Sequence, residues 1–186
     1  MPKGSSGRGE GGKYDGEPGG GGKATAVELA GREVMTSVAK ALERGTKEFP
    51  EIQPEGRIIE IQEANFKGTT LGEYGGGYVT IQRGLKSGNH QNSREWVAAH
   101  EVAHGLTTNT PKGYRTAEQT MRSAVRAYNK GRTSGRLTEA GLAGQITKYA
   151  RSSPREAVAE AFAQWSIQGN KSSEAAQIIM SKWKKR

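Results

Sequence analysis

Two histidines four residues apart, with a glutamate directly after the first, constrain this chain more than any other feature. The segment from Trp96 to Gly105 reads WVAAHEVAHG. On a helix, His100 and His104 lie one turn apart on one face, so both imidazoles can reach the same ion. Glu101 lies close enough to act on a water molecule at that ion as a general base. The motif therefore predicts a metal site on a helix.

The competing interpretation is a surface helix that carries two histidines by coincidence. It is weakened because two of only three histidines in the chain fall within the motif. The third, His90, lies in a polar loop, and we expect it to have a structural role.

A third ligand has to come from elsewhere, because no further histidine follows His104 closely. Downstream, Glu156 and Glu160 are four residues apart on an alanine-rich helix. Buried carboxylates are costly unless they are paired or coordinated. Glu156 is therefore the candidate third ligand, and Glu160 can accept the outer N–H of a ligating histidine. The alternative is a solvated helix with two exposed acids.

Periodicity and turn residues predict a helix, a small and mostly antiparallel sheet, and then several helices. The sheet draws on β-rich runs at 57–62 and 77–82, with 69–71 as a third candidate. Asn92 or Ser93 caps the helix that carries the histidines, and Glu95 is a candidate capping-box partner. The predicted helices cover residues 24–50, 92–105, 116–130, 137–149, 154–168 and 172–184.

Glycine is concentrated at the beginning of the chain. Of 27 glycines in 186 residues, ten fall within the first 22 positions, and only 33% of all residues are hydrophobic. We expect residues 1–23 to form a disordered arm. The rest fits one α+β domain from 24 to 186, with the sheet at 57–83 and a helical part at 116–184. Because the chain has no cysteine, any metal must be held by His, Asp or Glu.

No segment has the run of about 18 to 20 apolar residues that a membrane span needs. The glycine-rich beginning also lacks the apolar core of a secretory signal. We therefore expect no membrane partner and a protein that is cytoplasmic at synthesis, with a host cell and a virion both open as destinations.

The net charge of +9 is concentrated in residues 112–155, which carry ten basic and two acidic side chains. Such a segment can form a surface for nucleic acid or for an acidic partner. The alternative is a solvated helix face, since the basic residues are not interleaved with the aromatics that single-strand binders use. We expect the tail 181–186 to be a frayed, charged helix end.

Taken together, the two motifs resemble those of the gluzincin metallopeptidases. The resemblance rests on His-Glu-x-x-His and on Tyr149, six residues, then Glu-x-x-Ala-Glu-Ala-Phe from Glu156. The nearest likeness is to catalytic domains of the anthrax lethal factor type and related zincin domains of toxins and phage-encoded proteins. It implies a zincin-like fold with Zn²⁺ on His100, His104 and Glu156.

The resemblance also implies roles for other side chains. Glu101 is the general base and acid, Glu160 supports a ligating histidine, and Tyr149 is a phenol donor to the developing oxyanion. An edge strand of the sheet pairs with extended substrate, and Gly77–Arg83 is the candidate for that strand. The chain departs from the family in the Ala-Val-Ala between its two glutamates, where aromatics are common, and in the basic segment.

Two functions are therefore expected from the sequence. The first is a zinc-dependent metalloendopeptidase that hydrolyses peptide bonds in protein or peptide substrates. The alternative is a phage or mobile-element protein, associated with virions or nucleic acid, whose zincin fold is mainly a metal-stabilised module.

Overall fold

Six α-helices and three β-strands make up the part of the chain that the computed structural model describes, which is residues 26–49, 60–108, 110 and 112–185. The predicted arm at 1–23 and the first residues of the predicted strand at 57–62 lie outside these ranges. The elements, in chain order, are α1 (Ala26–Glu48), β1 (Glu60–Ala64), β2 (Gly72–Gly75), β3 (Tyr78–Gln82), α2 (Arg94–Thr107), α3 (Ala117–Asn129), α4 (Glu139–Ala143), α5 (Pro154–Gln168) and α6 (Glu174–Trp183). The α+β class predicted from the sequence is confirmed.

The sheet is built around a tight hairpin. β2 and β3 pair antiparallel, with Gly75 opposite Tyr78, so only Gly76 and Gly77 form the turn. Both glycines have positive φ, +59° and +92°. A two-residue turn with positive φ at both positions matches the twist of the strands and strongly favours glycine.

The prediction of a mostly antiparallel sheet is wrong, because the sheet is mixed. The strand order is β1-β3-β2, and β1 runs parallel to β3. The loop after β1 places β2 two positions away from β1 in the sheet, and β3 fills the position between them. β1 and β2 run in opposite directions, and β3 reverses direction again at the hairpin turn, so β3 runs parallel to β1.

The expected substrate-binding edge strand is also wrong. β3, the strand of the Gly77–Arg83 segment, pairs on both sides and is the centre of the sheet. Its inward side chains, Val79 and Ile81, are fully buried, and the most apolar strand gains most from the central position. The edge strands are β1 and β2.

The helix α2 is the central element of the domain. It packs against β2 and β3 on one side and against α1 and α5 on others, with its most extensive contact to α5. Its small residues Ala98, Ala99 and Ala103 are buried, as is the alanine-rich face of α5. Small side chains let two helices approach closely, so polar groups placed along this seam are brought within reach of one another.

The C-terminal helices follow the sequence prediction except at 137–149. Only Glu139–Ala143 is α-helical there, and a 3-10 turn, Tyr149–Ser152, comes before α5. A glycine at the end of α4, Gly144, marks the break. Tyr149 therefore lies in a turn at the start of α5 and not at the end of a long helix.

The predicted frayed end at 181–186 is wrong over its described residues. Trp183 is buried against Phe49, Tyr114 and Phe162. A β-bridge joins Tyr114 to Lys184, and the Arg115 guanidinium donates to the carbonyls of Lys182 and Lys184. Tryptophan burial and backbone pairing thus fix this end to the core. Among the described residues, no helix is long and apolar enough to cross a membrane.

Candidate metal centre

The helix that carries the histidines begins at a serine cap. The Ser93 hydroxyl accepts from the backbone N–H of Trp96, which selects Ser93 from the two predicted caps. Glu95 is not its capping-box partner, since its carboxylate accepts from the Ser87 hydroxyl and the Gly88 N–H. Glu95 instead fixes the loop that leads into α2.

Three ligand atoms converge between α2 and α5. His100 Nε2 and His104 Nε2 are 3.0 Å apart. Glu156 Oε2 lies 3.0 Å from His100 Nε2 and 3.2 Å from His104 Nε2. The two histidines come from successive turns of α2 and the carboxylate from the first turn of α5, where the Ser153 hydroxyl accepts from the Glu156 N–H.

The triangle formed by His100 Nε2, His104 Nε2 and Glu156 Oε2 can hold a metal ion. Each of its three atoms carries a lone pair, and lone pairs that face one another at about 3 Å repel unless a proton or a cation lies among them. His100 is 7% exposed, so little water reaches it to relieve that repulsion. The donor set therefore fits a cation. Within the described part of the chain, it is the group of His, Asp and Glu side chains with this convergence.

Glu160 and Trp96 stand behind the triangle. Glu160 Oε1 lies 2.8 Å from His100 Nδ1, the ring nitrogen that faces away from the triangle. The Nδ1–H bond of His100 does not point at this oxygen, so a hydrogen bond between the two groups requires the ring to turn. The indole N–H of Trp96 donates to Glu160 Oε2 at 3.2 Å. Glu160 is thus held in place and favours Nε2 of His100 as the ligand atom.

Glu101 faces a cleft beside the triangle. The cleft encloses about 340 Å³, and its walls include His100, Glu101, Tyr149 and Gly72. The Glu101 side chain is 6% exposed, and burial is the main cause that raises its pKa. A carboxylate with a raised pKa takes up a proton more readily than one in open solvent.

Gly72 lets the sheet approach Glu101. A Cβ atom at this position would lie 2.6 Å from Val97 Cγ1 and 2.8 Å from Glu101 Oε1. Glycine at the start of β2 therefore allows the edge strand to lie directly against the face of α2 that carries Glu101.

Tyr149 covers the other side of the cleft. Its ring centroid is 5.8 Å from that of His100, and the residue is 53% exposed. Burial and then the charges of Glu156, Glu101 and Glu160 raise the pKa of its phenol. The hydroxyl is therefore protonated at neutral pH and available as a donor.

The histidine and the carboxylate ligand hold opposite charges in the metal-free protein. Burial lowers the pKa of His100, but hydrogen bonds to Glu156 and Glu160 and nearby carboxylate charges outweigh it and raise the pKa to about 10. Burial raises the pKa of Glu156, but its contacts with His100 and His104 outweigh this and hold it well below its usual range. The shifts of both groups thus favour a charged His100 beside a charged Glu156.

All six side chains singled out in the sequence for this site meet here, while His90 lies outside it and contacts the Gln91 carbonyl. Trp96 and Gly72 were missed. Trp96 had a signal, since it lies one turn before His100 on the same helix face. Gly72 had none, because its role depends on how the sheet packs on α2.

Comparison of the chain with models of protein families, with curated proteins and with solved structures finds no significant match in any of the three. The site is therefore interpreted from its own geometry.

The metal-free pair of His100 and Glu156 predicts a pH dependence of stability. A raised histidine pKa adds stability that is complete below its ordinary value of 6.5 and is lost as the pH rises towards about 10. A lowered carboxylate pKa adds stability that is complete above its ordinary value of 4.5 and is lost as the pH falls below it. The melting temperature of chelator-treated protein should therefore exceed that of Glu156→Gln most between about pH 4.5 and 6.5. Scanning fluorimetry measures this difference, and a difference that does not change with pH would contradict it.

The contact between Trp96 and Glu160 predicts a dependence of metal affinity on the indole N–H. Trp96→Phe keeps an aromatic ring and removes the donor, so Glu160 loses its support. Titration with Co²⁺, followed by its visible absorption, should show affinity about tenfold weaker, with Glu160→Gln weaker by about 10- to 100-fold. Unchanged Co²⁺ affinity in both variants would show that neither residue supports the ligand.

Proposed function

We propose that this chain is a zinc-dependent metalloendopeptidase of the gluzincin type. The observation that carries the proposal is the convergence of His100 Nε2, His104 Nε2 and Glu156 Oε2 at 3.0 to 3.2 Å. An acid with a raised pKa and a phenol line the same cleft. A metal used for structure alone has no need of either.

The donor set suits zinc. Two imidazole nitrogens and one carboxylate oxygen are a known catalytic zinc set that leaves a fourth position open. With bonds of about 2.0 to 2.1 Å and tetrahedral angles, the ligand atoms are separated by about 3.3 Å, close to the spacing found here. When bound, zinc supplies a Lewis acid that polarises a carbonyl and lowers the pKa of water to about 7.

Glu101 moves the proton in this proposal. Its carboxylate accepts a proton from the attacking water as the water oxygen forms a bond to the scissile carbonyl carbon. It then delivers that proton to the amide nitrogen as the C–N bond breaks. Burial serves both steps, because a raised pKa strengthens the base and leaves an acid that can still release its proton.

Tyr149 stabilises the negative charge that develops on the carbonyl oxygen. Its hydroxyl is a neutral donor, and a donor placed where charge develops lowers the barrier more than it lowers the ground state. Its exposed position on a 3-10 turn leaves the hydroxyl accessible to a substrate that enters the cleft.

The edge strand β2 is the place for an extended substrate. One side of β2 pairs with β3, and no other described strand pairs with its second side. Backbone groups on a free strand edge can bind a peptide as an additional strand. Because β2 begins at Gly72 beside Glu101, a peptide added there runs into the cleft.

Glu101→Gln tests the proposal most simply. The glutamine side chain has nearly the shape of glutamate but cannot accept the proton. Zinc should therefore remain bound, while hydrolysis of casein or a fluorogenic peptide library falls by about 10² to 10⁴-fold. Glu118→Gln, on the exposed surface of α3, is the matched control and should retain full activity. A zinc-loaded wild-type protein that cleaves nothing in the library would instead support a metal-stabilised module without peptidase activity.

Gly72→Ala tests the position of β2 against Glu101. The new methyl group would lie within 3.0 Å of Val97 and Glu101 and must displace one of them. We expect kcat/KM to fall about 10- to 100-fold. Gly75→Ala is the control in the same strand, since its methyl group meets its nearest atom at an ordinary 3.9 Å. Equal activity in the two variants would contradict the close approach of β2.

A further inference from the structure

A basic groove follows the outer face of α3, on residues that the peptidase mechanism does not use. α3 turns its buried side, which includes Met121 and Ala124, towards α5 and α6. Arg122 and Arg126 point outward. They are one turn apart, so their positions are separated by about 6 Å along the helix axis.

Two depressions meet at Arg126 to form this groove. One, of about 510 Å³, includes Arg122 and Lys185, and the other, of about 500 Å³, includes Lys130 and Arg136. Because Arg126 lines both, the positive charge is continuous from the end of α6 to the loop after α3.

The loop after α3 is fixed, although residues 131–136 are exposed. The Asn129 side chain donates to the Leu137 carbonyl at 2.8 Å and accepts from the Leu137 N–H at 2.9 Å. Arg132 stacks over the Tyr128 ring at 4.0 Å and pairs with Glu174 at 3.1 Å. The base of the loop is therefore closed, and the neighbouring cations Lys130 and Arg136 are presented to solvent.

The groove is short of acid groups. Of the seven basic residues that line it, Arg132 is the one with an ion pair among the described residues. The Arg115 guanidinium is held by the carbonyls of Lys182 and Lys184, so it is not free to turn towards a ligand in the groove. Among the described residues, four of the remaining cations form no ion pair with a carboxylate: Arg126, Lys130, Arg136 and Lys185. Arg122 lies one turn after Glu118, and its charge adds to the backbone and Thr116 hydrogen bonds that lower the pKa of that carboxyl. Such a cluster lowers its own repulsion by binding a polyanion.

The other groups in the groove favour phosphate. Gln119 and Ser123 lie among the cations, and amides and hydroxyls beside Arg and Lys are the usual phosphate contacts. Among the described residues, no aromatic ring lines either depression; Tyr128 lies beneath Arg132. Without a ring on which bases can stack, a single strand gains little, whereas a duplex offers its phosphates.

We propose that this groove binds the phosphate backbone of a nucleic-acid duplex without reading its sequence. The proposal does not depend on the metal centre, since the groove lies on α3 and the α2 side chains of the triangle contact α5. The duplex places successive phosphates along the row formed by Arg122, Arg126 and Lys130, with the loop cation Arg136 and Lys185 at the two ends.

The test is fluorescence anisotropy with a labelled 20-base-pair DNA duplex at 50, 100 and 200 mM NaCl. Four to five phosphate contacts predict a slope of log affinity against log salt of about −3.6 to −4.5. Affinity should therefore fall on the order of a hundredfold to several hundredfold over this range. Two duplexes of unrelated sequence should bind alike.

Arg122→Gln with Arg126→Gln should make the slope shallower by about 1.8. Both positions are exposed on a helix where glutamine is well tolerated, and circular dichroism verifies the fold. The control is Lys67→Gln with Arg83→Gln, which removes two exposed charges near the sheet and should leave the slope unchanged.

Several results would overturn the proposal. They are no binding at 50 mM NaCl, an equal loss of slope in both double variants, and tighter binding to a single strand than to the duplex. Competition by polyglutamate as strong as that by unlabelled duplex would also overturn it and would assign the groove to an acidic protein partner.

Discussion

The close packing of α2 on α5 is the interaction on which the candidate site depends. Alanines on both helices bring the backbones near enough for Glu156 to reach the two histidines on α2. The approach also forces three lone-pair atoms together in a buried place, which is unfavourable unless a cation or a proton lies among them. A cation that fits among these three atoms would therefore stabilise the packing of α2 on α5.

Contacts behind the candidate ligand side chains hold this arrangement in place. Trp96 holds Glu160, Glu160 faces His100 Nδ1, and the serine caps Ser93 and Ser153 fix where α2 and α5 begin. The two caps are contacts between residues three positions apart, whereas the Trp96–Glu160 contact joins α2 to α5 across 64 positions of the sequence. Gly72 brings in the sheet, since it allows the edge strand β2 to lie beside the cleft.

Much of the site could be predicted from the sequence because its signals are local. The spacing of His100 and His104, and of Glu156 and Glu160, places each pair on one helix face, and buried carboxylates need a partner. The strand order was not predictable in this way. Whether β3 lies at the centre of the sheet or at its edge depends on how the loop between β1 and β2 routes the chain, and on the burial of Val79 and Ile81 in three dimensions.

The C-terminal end was misjudged for a related reason. The run of charges at 181–186 is typical of a solvated helix end, but the burial of Trp183 determines where this segment lies. Its ring packs on Phe49, which is remote in sequence. A burial partner that lies over a hundred residues away gives no signal in the local pattern.

The zinc content of the purified protein is the measurement that tests the central claim most directly. Elemental analysis after dialysis should find about one zinc per chain in the wild-type protein. It should find far less in Glu156→Gln, which removes one ligand charge from the triangle. Wild-type protein without stoichiometric zinc, or a Glu156→Gln variant that retains it fully, would contradict the account.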